Sequence, residues 1–361
     1  MQTLTFRAIH EDVPGEAIRS LFNEYWSAYR VWFLKQGDAA RPGYLQSRRA
    51  LRTYMPELVP LYDKLVELVG GSDMAARFLA LYCPTPFLAG CSQAIWNHKP
   101  YALVRNYDYA PNFFDGVILH TNWHGTRVIS VADCLWGALD GMNEHGLAAS
   151  LAFGGRQIVG KGFGVTLVMR YVLEFCKTVQ EAIAVFSRVP VHISYNIALL
   201  DKHGNYATVY VAPDRATVAE QTRVSTNHQR AVEWESHARM WDTVERQALL
   251  AAALSDAFMT REELVQKFLR PPVYRYPSPV SRTLYTACYL PERGAVEYHW
   301  RSDVWTQSFA HFQPGKRVIW LSDPDTTTPA YLHANEIIQA ATEIGSPIPR
   351  AQQPPPLDVF G

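Results

Sequence analysis

The sequence predicts an α+β protein, in which a helical N-terminal segment precedes a larger part built from antiparallel sheets and helices. Before residue 90, apolar residues recur at the three-and-four spacing that is typical of amphipathic helices. After it, short apolar runs alternate with Gly, Asn and Pro turns, which is typical of antiparallel strands. With 361 residues, 48% of them hydrophobic, the chain can bury a large core as one domain or as one domain with an appendage.

The individual elements follow from the same patterns. Helices are predicted where the spacing is three-and-four and where a capping box (Thr-x-x-Glu) begins a segment, namely at residues 20–36, 54–71, 163–178, 179–189, from after 227 to 254, and 260–269. Strands are predicted for the short apolar runs, namely at residues 91–97, 101–106, 116–121, 126–133, 146–153, within 195–212, within 281–300 and at 316–321. A Pro-rich tail, which includes Pro354 to Pro356, follows the last predicted strand.

Charge and cysteine content restrict the function. Lys plus Arg equals Asp plus Glu at 34 each, so no net charge favours nucleic acid or an anionic membrane surface as a partner. The five cysteines are odd in number and lack CxxC spacing, which disfavours a disulfide framework or a zinc site. No segment approaches the roughly 20 apolar residues of a membrane helix, and the start of the sequence lacks a signal-peptide core. We therefore expect a cytoplasmic protein that acts on a small molecule.

One dipeptide carries the most chemical information. Cys91 follows Gly90 directly and would become a new amino terminus if the bond between them were cut. A terminal amine has a pKa of about 7.7 to 8.0, so near neutral pH part of it is unprotonated and can accept the proton of the adjoining thiol. A terminal cysteine could therefore supply both the nucleophile and its base.

Four further residues support this hypothesis. Arg105 and Asp108 lie in RNYDY on the predicted return strand of a hairpin, where a guanidinium would favour the thiolate and a carboxylate would orient the amine. Asn143 in GMNEHGL and Asn227 in STNH place amide side chains next to predicted strand ends, where they could form an oxyanion hole. From the residues alone, Asn143 is equally consistent with a turn residue and Asn227 with a helix N-cap.

The motifs GC, RNYDY, GMNEHGL and STNH, in this order, resemble the N-terminal-nucleophile (Ntn) hydrolases. Within this group the sequence is most similar to the isopenicillin N acyltransferase branch, peptidase family C45, which is related to choloylglycine hydrolases and penicillin V acylases. The resemblance covers roughly residues 90–228. It implies a four-layer αββα sandwich and self-cleavage before Cys91, which would divide the precursor into a helical propeptide or small subunit, 1–90, and a catalytic subunit, 91–361.

The implied activity is hydrolysis or transfer of the acyl group of a linear amide through a thioester on Cys91. The resemblance also makes Arg282 a candidate for substrate binding, and Tyr107 is one of several aromatic residues that could shape an acyl pocket. The partners expected are a small acyl amide substrate and the protein's own cleaved N-terminal segment. The acyl group, the choice between water and an amine as acceptor, and the oligomeric state, including a homo-oligomer, remain open.

No cofactor or metal is expected. The segment GRQIVGKG copies the spacing of a phosphate loop but has Gly162 where the magnesium-binding Ser or Thr belongs, and the twelve histidines form no HExxH motif. Two alternatives stay open. One is a conventional cysteine hydrolase that pairs Cys91 with a separate histidine, such as His120, His124 or His228, without self-cleavage. The other is a ligand-binding relative that keeps the fold without the chemistry.

Overall fold

The computed structural model describes residues 2–275 and 281–321. Fifteen strands are found in this part of the chain: β1 (Gln2–Glu11), β2 (Gly90–Trp96), β3 (Ala102–Tyr109), β4 (Val117–Thr121), β5 (Val128–Asp133), β6 (Gly137–Asn143), β7 (Leu147–Phe153), β8 (Tyr195–Asp201), β9 (Tyr206–Ala212), β10 (Arg215–Glu220), β11 (Val224–Ser225), β12 (Arg282–Leu290), β13 (Ala295–Trp300), β14 (Asp303–Ser308) and β15 (Gly315–Leu321). The same part contains nine α-helices: α1 (Glu16–Phe33), α2 (Tyr44–Tyr54), α3 (Val59–Leu68), α4 (Asp73–Leu79), α5 (Val165–Phe175), α6 (Val179–Arg188), α7 (Glu235–Met240), α8 (Thr243–Ser255) and α9 (Arg261–Phe268).

The strands form two sheets. The nine-stranded sheet has the order β10-β9-β8-β7-β6-β5-β4-β1-β15, and its pairs are antiparallel except for β1 beside β4. The six-stranded sheet has the order β11-β2-β3-β12-β13-β14 and is antiparallel throughout. The predicted antiparallel architecture is therefore confirmed.

The sheets pack face to face, and helices cover their outer faces. One apolar cluster lies between the sheets and includes side chains of β1, β3, β5 and β12. A second cluster joins the nine-stranded sheet to α1–α6, and a third joins the six-stranded sheet to α8 and α9. Because each sheet buries one face on the other sheet and one on helices, the fold is a four-layer αββα sandwich, as the sequence predicted.

The N-terminal segment contains a strand that was not predicted. Leu4, Phe6 and Ala8 are buried and alternate with more exposed neighbours, the period-two pattern of a half-buried strand. The resulting β1 lies between β4 and β15. The description of residues 1–90 as helical is thus incomplete, because their first strand belongs to the larger sheet. The strands β6, β10, β11 and β14 were not predicted either.

The predicted helix from Asn227 to Leu254 is also corrected. The chain becomes helical only at Glu235 and breaks at Asp242, whose backbone is left-handed with φ +47°. The carbonyl of Trp241, just before the break, accepts a 2.8 Å hydrogen bond from Nε of Arg246. The break thus lets the Trp241 ring and the first turn of α8 both face β2.

None of the helices within the described residues combines the length and apolar character needed to cross a membrane. The predicted Pro-rich tail, including Pro354 to Pro356, lies outside the described residues.

Candidate active site

The Gly90–Cys91 bond begins strand β2, in the hairpin that β2 forms with β3. The predicted turn at 97–100 lies between these strands, and the register places Gly90 opposite Asp108 and Cys91 opposite Tyr107. Alternate residues point to opposite faces of a strand. Cys91 and Tyr107 therefore face the core between the sheets, whereas Gly90 and Asp108 face the helical layer that contains α8.

On the inner face, Arg105 contacts the cysteine. Its Nη2 lies 3.3 Å from Sγ of Cys91, and its guanidinium carbon lies 4.7 Å from the ring centre of Tyr107. Both Arg105 and Cys91 are fully buried. Burial raises the pKa of the Cys91 thiol above its usual value, and the positive charges of Arg105 and Arg246 oppose that shift without cancelling it. In this structure, Cys91 is therefore a neutral thiol at neutral pH.

Asp140 on β6 holds Arg105 in place and was not predicted. Its carboxylate forms a short ion pair with Nη1 of Arg105 and accepts hydrogen bonds from the hydroxyls of Tyr285, at 2.5 Å, and Tyr289. A buried carboxylate with this many donors fixes the plane of the guanidinium beside the thiol. The sequence held one signal, since Asp140 is a charged residue inside the otherwise apolar run that leads into GMNEHGL.

Asn227 contacts the backbone on both sides of the Gly90–Cys91 bond. Its Oδ1 accepts a 3.0 Å hydrogen bond from the backbone N–H of Cys91, the nitrogen that cleavage would turn into an amine. Its Nδ2 donates to the carbonyl oxygens of Ala89, at 3.3 Å, and Phe153, at 3.2 Å. The side chain therefore hydrogen-bonds the backbone of Ala89 and of Cys91, on either side of Gly90.

The outer face of the hairpin holds Asp108 and a second arginine, Arg246. Oδ1 of Asp108 accepts a 2.6 Å bond from Thr283, and its Oδ2 lies 3.4 Å from Nη1 of Arg246. Arg246 also donates to the Cys91 carbonyl oxygen at 2.8 Å and to Oδ1 of Asn227 at 2.8 Å. Burial lowers the pKa of Arg246 to about 10, so it remains a cation at neutral pH.

Arg246 was also missed in the sequence. It lies four and eight residues before Leu250 and Leu254, which are buried with it on one face of α8. A permanently charged residue in the apolar stripe of an amphipathic helix needs a buried partner. That anomaly could have marked Arg246 as a candidate site residue.

Asn143 is the predicted site residue that the structure does not bring to Cys91. Its Nδ2 donates to the carbonyl oxygens of Leu173, at 3.0 Å, and Cys176, at 2.6 Å, and so satisfies the C-terminal end of α5. Its Oδ1 accepts from the backbone N–H groups of His145 and Leu147 in the turn between β6 and β7. Because both amide hydrogens are used, Asn143 has none to offer an oxyanion, and its turn-residue interpretation agrees with these contacts.

Of the two predicted binding residues, Tyr107 lies in the hairpin and Arg282 lies on the neighbouring strand β12. Tyr107 is buried directly opposite Cys91 and contacts the ring of Phe114, with 5.6 Å between ring centres. Arg282 is buried at the start of β12, opposite Tyr109, and the next residue, Thr283, bonds to Asp108.

The three histidines considered as alternative bases have other partners. His120 stacks on His10 with 4.5 Å between ring centres, Nδ1 of His124 lies 2.8 Å from Glu174, and His228 contacts Thr243 at 3.0 Å. None of them hydrogen-bonds Cys91. Across the described residues, no three His, Cys, Asp or Glu side chains are grouped so that they could hold a metal ion.

The site is closed in this structure, since Cys91 has no exposed surface. The indole of Trp241 covers Gly90 so tightly that a Cβ added there would lie 2.2 Å from Cζ3. The glycine is therefore required by close packing in an extended strand.

The fold and this site define an αββα sandwich with a buried cysteine at the start of a central strand. Residues 96–305, more than half of the chain, match the model of the acyl-coenzyme A:6-aminopenicillanic acid acyl-transferase family. The chain therefore belongs to that family, which confirms the resemblance found in the sequence. The match includes Arg105, Asp108 and Asn227 but begins after Cys91.

Among solved structures, the chain is similar to a penicillin V acylase from Agrobacterium tumefaciens, with 14% identity, 68% of this chain and 96% of that chain covered, and a TM-score of 0.46. It is also similar to a mutant conjugated bile acid hydrolase from Clostridium perfringens, with 12% identity, 66% of this chain and 100% of that chain covered, and a TM-score of 0.43. A third similar structure is the Caenorhabditis elegans ortholog of N-acylethanolamine-hydrolyzing acid amidase, with 14% identity, 60% of this chain and 99% of that chain covered, and a TM-score of 0.41. No curated protein sequence matches the chain.

Proposed function

We propose that the chain is the precursor of a cysteine amide hydrolase or acyltransferase that activates itself by cutting between Gly90 and Cys91. The carrying observation is the arrangement around that bond, where Arg105 lies 3.3 Å from the sulfur and Asn227 accepts the Cys91 N–H at 3.0 Å. Membership of an acyltransferase family supports the same class of reaction. Cleavage would give a small subunit, 1–90, and a catalytic subunit, 91–361.

The cleavage itself is an acyl shift from nitrogen to sulfur. Sγ of Cys91 attacks the carbonyl carbon of Gly90, and the thiol proton moves to the Cys91 nitrogen as the C–N bond breaks. Water then hydrolyses the thioester, which leaves a carboxylate on Gly90 and a free amine and thiol on Cys91. Arg105 stabilises negative charge on sulfur, and Arg246, which binds the Cys91 carbonyl oxygen at 2.8 Å, holds the strand in place.

The mature site then acts on an external amide. The free amine of Cys91 takes the thiol proton, the thiolate attacks the acyl carbon, and the same proton passes to the departing amine. After cleavage, displacement of the new C-terminal end from the site would take away the Ala89 carbonyl and leave one hydrogen of the Asn227 Nδ2, the other being bonded to Phe153, and we assign that hydrogen to the oxyanion. Asn143 has no part in this scheme because both of its amide hydrogens are engaged elsewhere. Asp108 orients Arg246 and lies opposite Gly90 in the hairpin.

Contacts of Cys91 weigh against an unprocessed enzyme. Its thiol is fully buried with a raised pKa, and none of His120, His124 and His228 hydrogen-bonds it. A conventional cysteine hydrolase needs an accessible thiolate and a histidine beside it. The uncut arrangement fits a precursor better.

Intact mass spectrometry under denaturing conditions, with N-terminal sequencing, tests the proposal on the wild type, Cys91→Ala and Cys288→Ala. Cys288 is the matched control, since it is equally buried but lies in the apolar layer beneath α8 and α9. We expect two chains that meet at residues 90 and 91 for the wild type and Cys288→Ala, and one chain for Cys91→Ala. A Cys91→Ala chain that still divides at this bond would overturn the proposal.

If the wild-type protein remains full-length, two further measurements distinguish a conventional cysteine hydrolase from a ligand-binding relative. If the intact chain hydrolyses amides, the conventional cysteine hydrolase is correct. If it remains whole and acyl probes that react with thiols do not label Cys91, the protein is a ligand-binding relative.

A further inference from the structure

The backbone on each side of Asn227 is held by one side chain of the opposite sheet. Nδ2 of Asn196, on β8, donates to the carbonyl oxygen of Thr226 at 2.9 Å and to that of His228 at 2.7 Å. Asn227 lies between these two carbonyl groups, and its own Oδ1 accepts the N–H of Cys91. One amide group therefore fixes the stretch of backbone from which the Asn227 side chain reaches Cys91.

Asn227 needs this support because the regular sheet ends just before it. Strand β11 consists of two residues, which pair with β2. N–H groups two residues apart point to the same edge of a strand, so those of Cys91 and Ile95 share one edge of β2. The N–H of Ile95 donates to the backbone carbonyl oxygen of Arg223 at 2.8 Å, whereas that of Cys91 donates to the side chain of Asn227 at 3.0 Å. At the proposed cleavage site, a side chain thus takes the place of a ladder bond.

Asn196 lies on a rigid part of the fold. It is fully buried, and its strand is paired on both sides, with Ala152 of β7 and Tyr210 of β9 as its neighbours. Nε2 of Gln93, on β2, donates to its backbone carbonyl oxygen at 3.2 Å, so the two sheets are joined at this point. A side chain on a strand that is paired on both sides holds its partner more precisely than one on a loop.

The orientation of the Asn196 amide leaves its oxygen unpaired. Oδ1 of Asn196 is buried and has no hydrogen-bond partner among the described residues. The reverse orientation would set that oxygen against the carbonyl oxygens of Thr226 and His228, so both amide hydrogens face the carbonyls. A buried acceptor without a partner needs an explanation, and the fixed position of Asn227 provides one.

The backbone of Asn227 is also confined by other elements. Its N–H donates to Oγ1 of Thr243, the first residue of α8, at 2.7 Å. Its carbonyl oxygen lies so close to Gly155, after β7, that a Cβ added to that glycine would be 2.2 Å from it. These contacts limit the translation of Asn227, while the bonds from Asn196 fix the carbonyl groups of the residues before and after it. The direction of the Asn227 side chain follows from the backbone that carries it.

We propose that Asn196 is a positioning residue for the proposed reaction. It acts through Asn227, whose side chain it directs to the Cys91 nitrogen before cleavage and to the oxyanion afterwards. The inference deepens the proposed function and rests on it for the effect on rates. The placement of Asn227 itself can be measured in a chain that does not react.

Placement is measured by hydrogen–deuterium exchange and NMR in a Cys91→Ala background, where the N–H at position 91 keeps Asn227 as its partner. Asn196→Leu preserves the shape of the side chain and removes both donors. Asn143→Leu is the matched control, because Asn143 is equally buried and its Nδ2 also donates to two backbone carbonyl oxygens, at 3.0 and 2.6 Å.

The readout is the protection of the N–H at position 91 divided by that of Leu119, which is fully buried on β4 between β1 and β5. The division corrects for any change in global stability. We expect the ratio to fall at least about tenfold in Asn196→Leu, since two buried carbonyl groups lose their donor, and to change less than about threefold in Asn143→Leu. An equal fall in both variants, or an unchanged ratio in Asn196→Leu, would overturn the proposal. If Asn196→Leu fails to fold, Asn196→Asp and Asn143→Asp replace the pair, and the same outcomes decide.

Self-cleavage gives the second readout, in chains that keep Cys91, with the cut fraction followed over time by intact mass spectrometry. Asn196→Leu should slow cleavage at least about tenfold, and Asn143→Leu less than about threefold. In an Asn227→Ala background, Asn196→Leu should cause no further slowing, because the side chain through which it acts is already absent. Additive slowing would contradict a positioning role. If the wild type does not cleave, the proposed function fails, while the exchange ratio still decides whether Asn196 positions Asn227.

Discussion

At the scale of single residues, the site depends on the environment of one thiol. Cys91 is distinguished from Cys288 by its partners, because both are fully buried and both have a raised pKa. Only Cys91 has a guanidinium at 3.3 Å and an amide oxygen on its own N–H. Those contacts make it reactive in the proposed mechanism.

The raised pKa of Cys91 predicts how self-cleavage depends on pH. Burial favours the neutral thiol, so the thiolate fraction is small at pH 7 and increases tenfold per pH unit until the pKa is reached. The rate of cleavage should therefore rise between pH 6.5 and 9. The measurement follows precursor made by cell-free synthesis at low pH and then shifted to a series of buffers, with Cys288→Ala as control. A rate independent of pH would contradict a thiol that must ionise.

The packing of Trp241 predicts the effect of adding a methyl group at Gly90, the proposed cleavage site. In Gly90→Ala the new Cβ would lie 2.2 Å from Cζ3 of the indole, so β2 must shift. We expect cleavage to slow at least tenfold and the free energy of unfolding to fall by about 1–3 kcal/mol. Gly43→Ala, where no atom lies within 4 Å of the added carbon, is the control.

Gly90→Ala should cost less free energy of unfolding in a Trp241→Ala background than in the wild type, measured by urea unfolding as a double-mutant cycle. Unchanged cleavage and stability in Gly90→Ala would show that the close contact is absent in solution.

At the scale of elements, local sequence signals predicted where helices begin, but they did not predict features that depend on tertiary contacts. The capping boxes at Thr178 and Thr260 were read from the sequence, and both threonine side chains accept the backbone N–H three residues later. The break between α7 and α8 was not predicted. It depends on Trp241 and Arg246 reaching β2, which is distant in sequence.

The cap of α9 gives a test that is separate from catalysis. In a Cys91→Ala background, Thr260→Ala removes the acceptor for the Glu263 N–H and should lower the free energy of unfolding by about 1 kcal/mol. Gln266→Ala, at an exposed position of the same helix, should change it by less than about 0.5 kcal/mol. Urea unfolding measures both. Equal effects would mean that α9 does not contribute to the cooperative unit.

At the scale of the whole molecule, β1 ties the N-terminal segment to the rest of the chain. It pairs with β4 on one side and β15 on the other, and Phe6 is fully buried against the rings of Phe114, Tyr285 and Trp300. Residues 1–90 and 91–361 are therefore not independent folding units. Cleavage would alter the site without separating the two parts.

The two chains should accordingly remain together after cleavage and elute from gel filtration as one species, separating only in denaturant. Phe6→Asp places a charge in the core between the sheets and should release the N-terminal chain at a lower urea concentration. Val13→Asp, at a position that is 56% exposed, is the control. Identical release of the two variants would show that β1 does not hold the complex together.

The sequence by itself determined the α+β class, the antiparallel sheets and the hairpin that carries Cys91 and Arg105, because period, turns and caps are local properties of the chain. Only the tertiary structure decided that β1 joins the larger sheet, that Asp140 and Arg246 meet this hairpin, and that Asn143 closes a turn away from it. Arg246 reaches Cys91 across 155 residues of chain, and Asp140 reaches Arg105 across 35. In the sequence, a buried charge is visible only as a charged residue at an otherwise apolar position. Its partner is distant in the chain, so only the packing of sheets and helices determines which charged residues come into contact.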